Sequence, residues 1–288
     1  MRSVKFLVAA GAASLLSSAA FAADLPAPPP YAPPPVEDMG GWYLRGDIGM
    51  SNQSVKSMKL SDPTYYQNLT SYNQTTNFDA APTYQIGVGY QFNNWFRADI
   101  TGQYRGSANF KGTDLISFPI GGGPIANGVD NYSASKSEWL FLANAYADLG
   151  TWWCVTPFIG AGVGAARVTI SNFTDTGFNN DQGPGVFVGG PPVASVASAG
   201  SASQWNFAWA IHAGLGYRIS PNATLELAYS YVNLGDGVTG VASTFDGSSA
   251  GHVFKFSNIT SQDVTLGIRW NFDTPAYMPP PPPLITKG

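Results

Sequence analysis

The segment from Gln204 to Ser220 alternates strictly between two kinds of side chain. Every second position from Trp205 reads Trp205, Phe207, Trp209, Ile211, Ala213, Leu215, Tyr217 and Ile219. The positions between read Asn206, Ala208, Ala210, His212, Gly214, Gly216 and Arg218. A period of two puts successive side chains on opposite faces of a pleated strand. One face is wholly apolar, with aromatics toward both ends; the other is small, polar or charged, over more residues than a soluble strand needs. A strand of this kind has lipid outside it and a narrow polar interior behind it.

Seven more segments carry the pattern: Gly41 to Met50, Thr83 to Phe92, Trp95 to Tyr104, Ser137 to Leu149, Val155 to Val168, Thr224 to Leu234 and Gln262 to Phe272. In the first, Trp42, Leu44, Ile48 and Met50 oppose Tyr43, Arg45, Asp47 and Gly49. In Ser137 to Leu149 the face holding Glu138, Leu140, Leu142, Asn144, Tyr146 and Asp148 is assigned inward for its polar groups. In Val155 to Val168, Gly160, Gly162 and Gly164 leave room for bulk from neighbouring strands. The sequence therefore predicts an all-β fold, an eight-stranded antiparallel up-and-down transmembrane β-barrel. Long connections at 51 to 82, 105 to 136, 169 to 203 and 235 to 261 alternate with short ones near 93, 150 to 154 and 220 to 223. The long ones face outside the cell in such barrels, and they are expected to be mobile loops.

Composition supports this. Charged residues make up 11% of the chain, against about 25% in ordinary soluble domains, too few to build a charged outer surface. Arg2 and Lys5 precede an apolar run from Phe6 to Leu16, and Ala20-Phe21-Ala22 has the small-x-small form of a signal-peptidase site. Residues 1–22 therefore read as a signal peptide, 23–40 as a Pro-rich periplasmic segment, 41–272 as the barrel and 273–288 as a Pro-rich tail. Loss of Arg2 and Lys5 takes the formal charge from −4 to −6, which argues against nucleic acid as a partner. Cys154, the single cysteine, excludes an intramolecular disulfide.

The inward positions collect Arg45, Asp47, Arg97, Asp99, Asp148, Arg218, Glu226 and Arg269. Eight strands enclose a space just wide enough for side chains to fill, and a charge confined there costs several kcal/mol unless paired. These eight residues are expected to form a salt-bridged internal plug; the alternative is an ion-selective pore. A filled interior offers no substrate cleft for acid-base chemistry. His212 and His252 lack Cys, Asp or Glu neighbours at metal-ligand spacing, and no GxSxG, HExxH or phosphate-loop pattern occurs. No catalytic, metal or cofactor site is expected.

With its export signal, GWYLRGDIG at 41 to 49, TLGIRWNF at 265 to 272 and the aromatic finish Trp270-Asn271-Phe272, the chain resembles the small outer-membrane β-barrels of alphaproteobacteria. These are the opacity-type and porin-like surface antigens related to the OmpA transmembrane domain. The resemblance implies insertion by the barrel-assembly machinery with periplasmic chaperones, the segment carrying Leu266, Ile268, Trp270 and Phe272 serving as the assembly signal. The chain departs from the family in the 16 residues that follow Phe272.

Relatives that bind haem or associate with lipopolysaccharide make Tyr65, Tyr66 and Tyr72 candidate haem contacts. They likewise make Lys56, Lys59, Lys111, Lys136 and Lys255 candidate contacts for anionic sugar phosphates. The expectation is a surface-exposed outer-membrane protein, not an enzyme, with a structural role in membrane integrity and lipid and lipopolysaccharide around it. A narrow porin, a haem-uptake receptor and a soluble ligand-binding barrel with its apolar face inward are the alternatives. Oligomeric state is not readable from these residues.

Overall fold

The computed structural model describes residues 40–120, 124–180, 193–245 and 251–272. The expected signal peptide and both Pro-rich segments lie outside the described residues, apart from Gly40.

Eleven strands run in chain order: β1 (Gly41–Leu60), β2 (Ser71–Phe78), β3 (Ala81–Gln91), β4 (Phe96–Pro119), β5 (Ile125–Asp148), β6 (Val155–Asn179), β7 (Val193–Ala199), β8 (Ala202–Arg218), β9 (Ala223–Val238), β10 (Ala242–Thr244) and β11 (Phe254–Asn271). A five-residue helix, α1 (Pro63–Gln67), is capped by the Asp62 carboxylate, which accepts from Thr64 N at 2.8 Å. All pairings are antiparallel. β1 pairs with β3, β3 with β4, β4 with β5, β5 with β6, β6 with β8, β8 with β9, β9 with β11, and β11 again with β1. The eight strands expected from the sequence thus pair in a cycle, and β2, β7 and β10 add to it through β4 and β6.

Around the lower part of the cycle the apolar positions face out. Ile86, Ile100, Ile211 and Ile268 are all at least half exposed, whereas Arg97, Tyr43 and Glu226 inside are almost fully buried. This is the polarity of a wall bathed in hydrocarbon. Gly160 and Gly162 serve as expected: a Cβ at the first would fall on the Tyr146 ring, and one at the second on the Asn144 carboxamide. The turns are tight. Asn93 Oδ1 accepts from Trp95 N and Phe96 N at 3.0 and 2.8 Å, and Trp153 and Cys154 both adopt positive φ between the bridged Trp152 and Val155.

Where they are described, the long connections consist largely of strand. β4, β5 and β6 run for 24, 24 and 25 residues, carrying the wall well past the apolar band. There the sense of the alternation inverts: Lys111 and Thr113 face out while Phe110, Gly112 and Asp114 are buried. Single-residue irregularities mark the change. The β4 register shifts between Arg105 and Ala108, so buried positions move from odd to even numbers. Asn172 and Asn258 sit at positive φ near the matching breaks in β6 and β11. In β4, β6 and β11 one extra residue flips the side chains beyond it. A search for apolar-outward alternation ends at that point, which is why it stops at eight short strands and misses β2, β7 and β10.

Candidate functional site

Three layers of side chains fill the interior. Nearest the tight turns, Glu226 on β9 meets three arginines: Arg269 Nε at 2.9 Å, Arg97 Nη2 at 3.3 Å and Arg45 Nη2 at 3.4 Å. Arg45 also pairs with Asp47 at 2.8 Å and Asp99 at 3.3 Å, and Arg97 with Asp148 at 3.2 Å. Neutral donors complete the layer. Tyr43 and Asn144 donate to Asp99 at 3.1 and 2.7 Å, and Gln85 donates to Asp47 at 2.9 Å. The Arg97 guanidinium lies 4.3 Å from the Tyr146 ring centroid and 4.8 Å from that of Phe158.

Seven of the eight charged residues singled out in the sequence therefore meet in one network. Arg218 does not. It is the last residue of β8, exposed at the rim, and has no ion pair among the described residues. Its position in the alternation is inward, but it sits beyond the enclosed stretch, where a guanidinium stays in water.

A second layer does not follow as a unit from the sequence pattern. Arg105 makes a two-pronged pair with Asp263, at 2.5 and 3.2 Å, and lies 3.9 Å from Glu138. The Lys136 ammonium is held by Glu138 and Gln53, and Ser51 and Ser261 hydrogen-bond at 2.7 Å. The apolar-outward alternation ends before Arg105 and resumes after Lys136, which puts both in loops when the sequence is read alone. Lys136 is buried here, which removes it from the surface lysines expected to meet sugar phosphates. Glu138 and Asp263, both inward by alternation, were the available signal.

Between the layers a cavity of about 20 Å³ is lined by Arg45, Tyr146, His212, Ser230 and Asp263, among others, space for one water. His212 is a structural hydrogen-bonding group, 2.7 Å from Ser230 Oγ and 3.2 Å from Asn144 Oδ1.

Above both charge layers lies an aromatic plug. Phe110 packs on Phe256 and Phe78, with centroids 4.8 and 5.1 Å apart. Phe254 packs on Phe173 and Tyr132, at 4.5 and 5.6 Å. Met58, Ile170, Leu234 and Ile259 close around them.

At the outer mouth, Asp114 on β4 stands directly opposite Asp130 on β5. Burial first, then the neighbouring carboxylates, push Asp130 up to about 6 and Asp175 on β6 to about 7. Asp114, also pushed up by burial, accepts from Tyr72, Gln74 and Tyr132. Tyr65, Tyr66 and Tyr72 are half-buried and packed edge to face at 5.1 and 5.3 Å. The Tyr66 hydroxyl accepts from Leu60 N at 2.7 Å, so Tyr66 and Tyr72 are engaged in holding β1 and β4 to α1 and β2. Lys56, Lys59 and Lys111 are exposed, and Lys255 pairs with Asp236 at 3.0 Å. Among the described residues no cluster of His, Cys, Asp and Glu is arranged to hold a metal.

Comparison with known proteins gives the following. The family model described as the outer membrane protein beta-barrel domain matches residues 8–272. An uncharacterised protein of Brucella suis is 31% identical over 231 residues, covering 76% of this chain and 78% of the relative. The outer membrane protein PagN of Salmonella typhimurium is 28% identical over 193 residues, covering 65% and 71%. Among solved structures, Neisserial surface protein A aligns over 81% of this chain and 97% of its own, at 16% identity and a TM-score of 0.41.

Proposed function

The chain belongs to the outer membrane β-barrel protein family, and from that premise we propose that it is a surface protein whose filled interior makes it a structural element of the membrane and not a conduit. One observation carries the reading: two layers of buried ion pairs lie beneath a packed aromatic cluster that includes Phe110, Phe254 and Phe256. The charges that would line an ion-selective pore are spent on one another. The same filling keeps a substrate from Asp99 and Glu226, so these interior carboxylates have a structural role and not a catalytic one. Haem uptake is disfavoured because the Tyr66 and Tyr72 hydroxyls are already committed.

Its surroundings are outer-membrane lipid and lipopolysaccharide. Delivery is by a cleaved signal peptide and periplasmic chaperones, and insertion by the barrel-assembly machinery reading Leu266, Ile268, Trp270 and Phe272. These four share the outward face of β11 and its end, each about half exposed, which suits a segment that must be read before the wall is complete. Liposome swelling tests the reading. Vesicles carrying the protein should resist small sugars and amino acids as bare vesicles do, and rapid swelling would support the narrow-porin alternative.

A further inference from the structure

Three consecutive rows of outward side chains cross β5, β6 and β8 at the upper edge of the apolar band. The register aligns Phe141, Ala165 and Phe207 in the lowest row, Trp139, Arg167 and Trp205 in the next, and Ser137, Thr169 and Ser203 above. Arg167 is exposed, its neighbours Ala166 and Val168 are fully buried, and it has no ion-pair partner among the described residues. Within the three rows it alone carries a charge. Trp139 and Trp205, 48% and 59% exposed, stand on either side of it. Phe141 stacks between them and just below, 6.3 Å from each ring, and Tyr104 adds to the outer end at 5.0 Å from Trp139.

An unpaired guanidinium among interfacial tryptophans, at the end of the barrel that faces outside the cell, is placed to meet an anion at headgroup height. The rows are ordered as a phosphorylated glycolipid is ordered. Apolar Phe141 and Phe207 lie toward the hydrocarbon, the cation at headgroup height, and Ser137, Thr169 and Ser203 toward the sugars, with Thr169 and Ser203 hydroxyls 2.9 Å apart. We propose that these rows form a seat for one phosphorylated, acylated sugar of the outer leaflet, with Arg167 holding the phosphate as a two-pronged donor. The four aromatic residues of the rows flank the acyl chains below, and the three hydroxyl residues meet the sugar above.

The test is native mass spectrometry of the full chain in detergent, with purified bis-phosphorylated lipid A as the probe and its dephosphorylated form and phosphatidylcholine as comparisons. The wild type and Arg218→Gln, which removes the exposed arginine at the opposite end, should retain the phosphorylated glycolipid equally. Arg167→Gln should retain it about five-fold less, and Arg167→Lys should keep most of the binding. Heat-modifiable electrophoretic mobility checks that each variant is folded. Should Arg167→Gln fail to fold, the wild type's preference for the phosphorylated over the dephosphorylated probe decides. Unchanged retention by folded Arg167→Gln, equal capture of dephosphorylated glycolipid, or displacement by free inorganic phosphate would overturn the proposal.

Discussion

Arg105 and Asp263 are 158 residues apart in sequence and face each other across the barrel interior as a two-pronged ion pair on strands that are not neighbours in the wall. The pair spans β3 and β1, so it ties opposite sides of the sheet together. Both partners are buried, and that makes the cost of breaking it one-sided. Asp263→Ala leaves a buried guanidinium with no full counter-charge and should destabilise the protein by about 3–5 kcal/mol. The double variant Arg105→Met, Asp263→Leu should recover most of the loss. Reversible urea unfolding into lipid vesicles measures both. A double variant as unstable as the single one would mean the pair does more than cancel its own burial.

The inversion of the outer face gives a second expectation. Ile211, in the middle of the β8 apolar run and half exposed, faces hydrocarbon; Thr113, outward on the upper part of β4 and hydrogen-bonded to Asn131 at 3.1 Å, faces water. Ile211→Arg should cost about 2–4 kcal/mol. Thr113→Arg should stay within about 0.5 kcal/mol of the wild type. The same vesicle unfolding assay compares them, and equal costs would place the membrane boundary elsewhere.

How far the sequence discloses this molecule turns on where lipid gives way to water. The period of two from Trp205 to Ile219 settles strand, face and environment together, because hydrocarbon demands an unbroken apolar side. Seven inner charges, Arg45 to Arg269 with Arg218 excepted, follow from the same alternation. Beyond the band water accepts Asn, Ser and Thr outside, so the outer face of β4 no longer stands out from a loop. The extra residues near Arg105, Asn172 and Asn258 then break the phase. Phe110 and Phe256 consequently look like scattered loop aromatics until the register is known, and Arg105 and Lys136 like solvent charges. Arg218 errs the other way: alternation gives its side but not its depth.

The acidic mouth supplies a pH dependence. Asp130 is raised to about 6 by burial and the Asp114 charge, and Asp175 to about 7 by burial and the charges of Asp130 and Asp114. A carboxyl raised in the folded state contributes stability that is complete below its unfolded value, about 4, and is lost as pH climbs through the folded value. The upper ends of β5 and β6 should therefore open more at pH 8 than at pH 5. Hydrogen exchange of the amides around Tyr132 and Gly177, corrected for the chemical rate, should show it. Asp175→Asn should remove most of the difference; an unchanged pH response in that variant would rule out the carboxylates as its source.

The aromatic plug can be probed by truncation. Phe256 contacts both Phe78 and Phe110 and is fully buried, so Phe256→Ala should cost about 3–5 kcal/mol, read from urea midpoints. The charge layers beneath it remain paired, and the variant should still resist small solutes.

Single-channel recording in planar bilayers tests the filled interior most directly. With Glu226 bound to three arginines, Arg105 to Asp263, and Phe110, Phe254 and Phe256 above them, wild-type insertions should leave the baseline flat at moderate voltage in molar salt. Large, steady, ohmic steps from the folded wild-type protein would contradict the account at its centre.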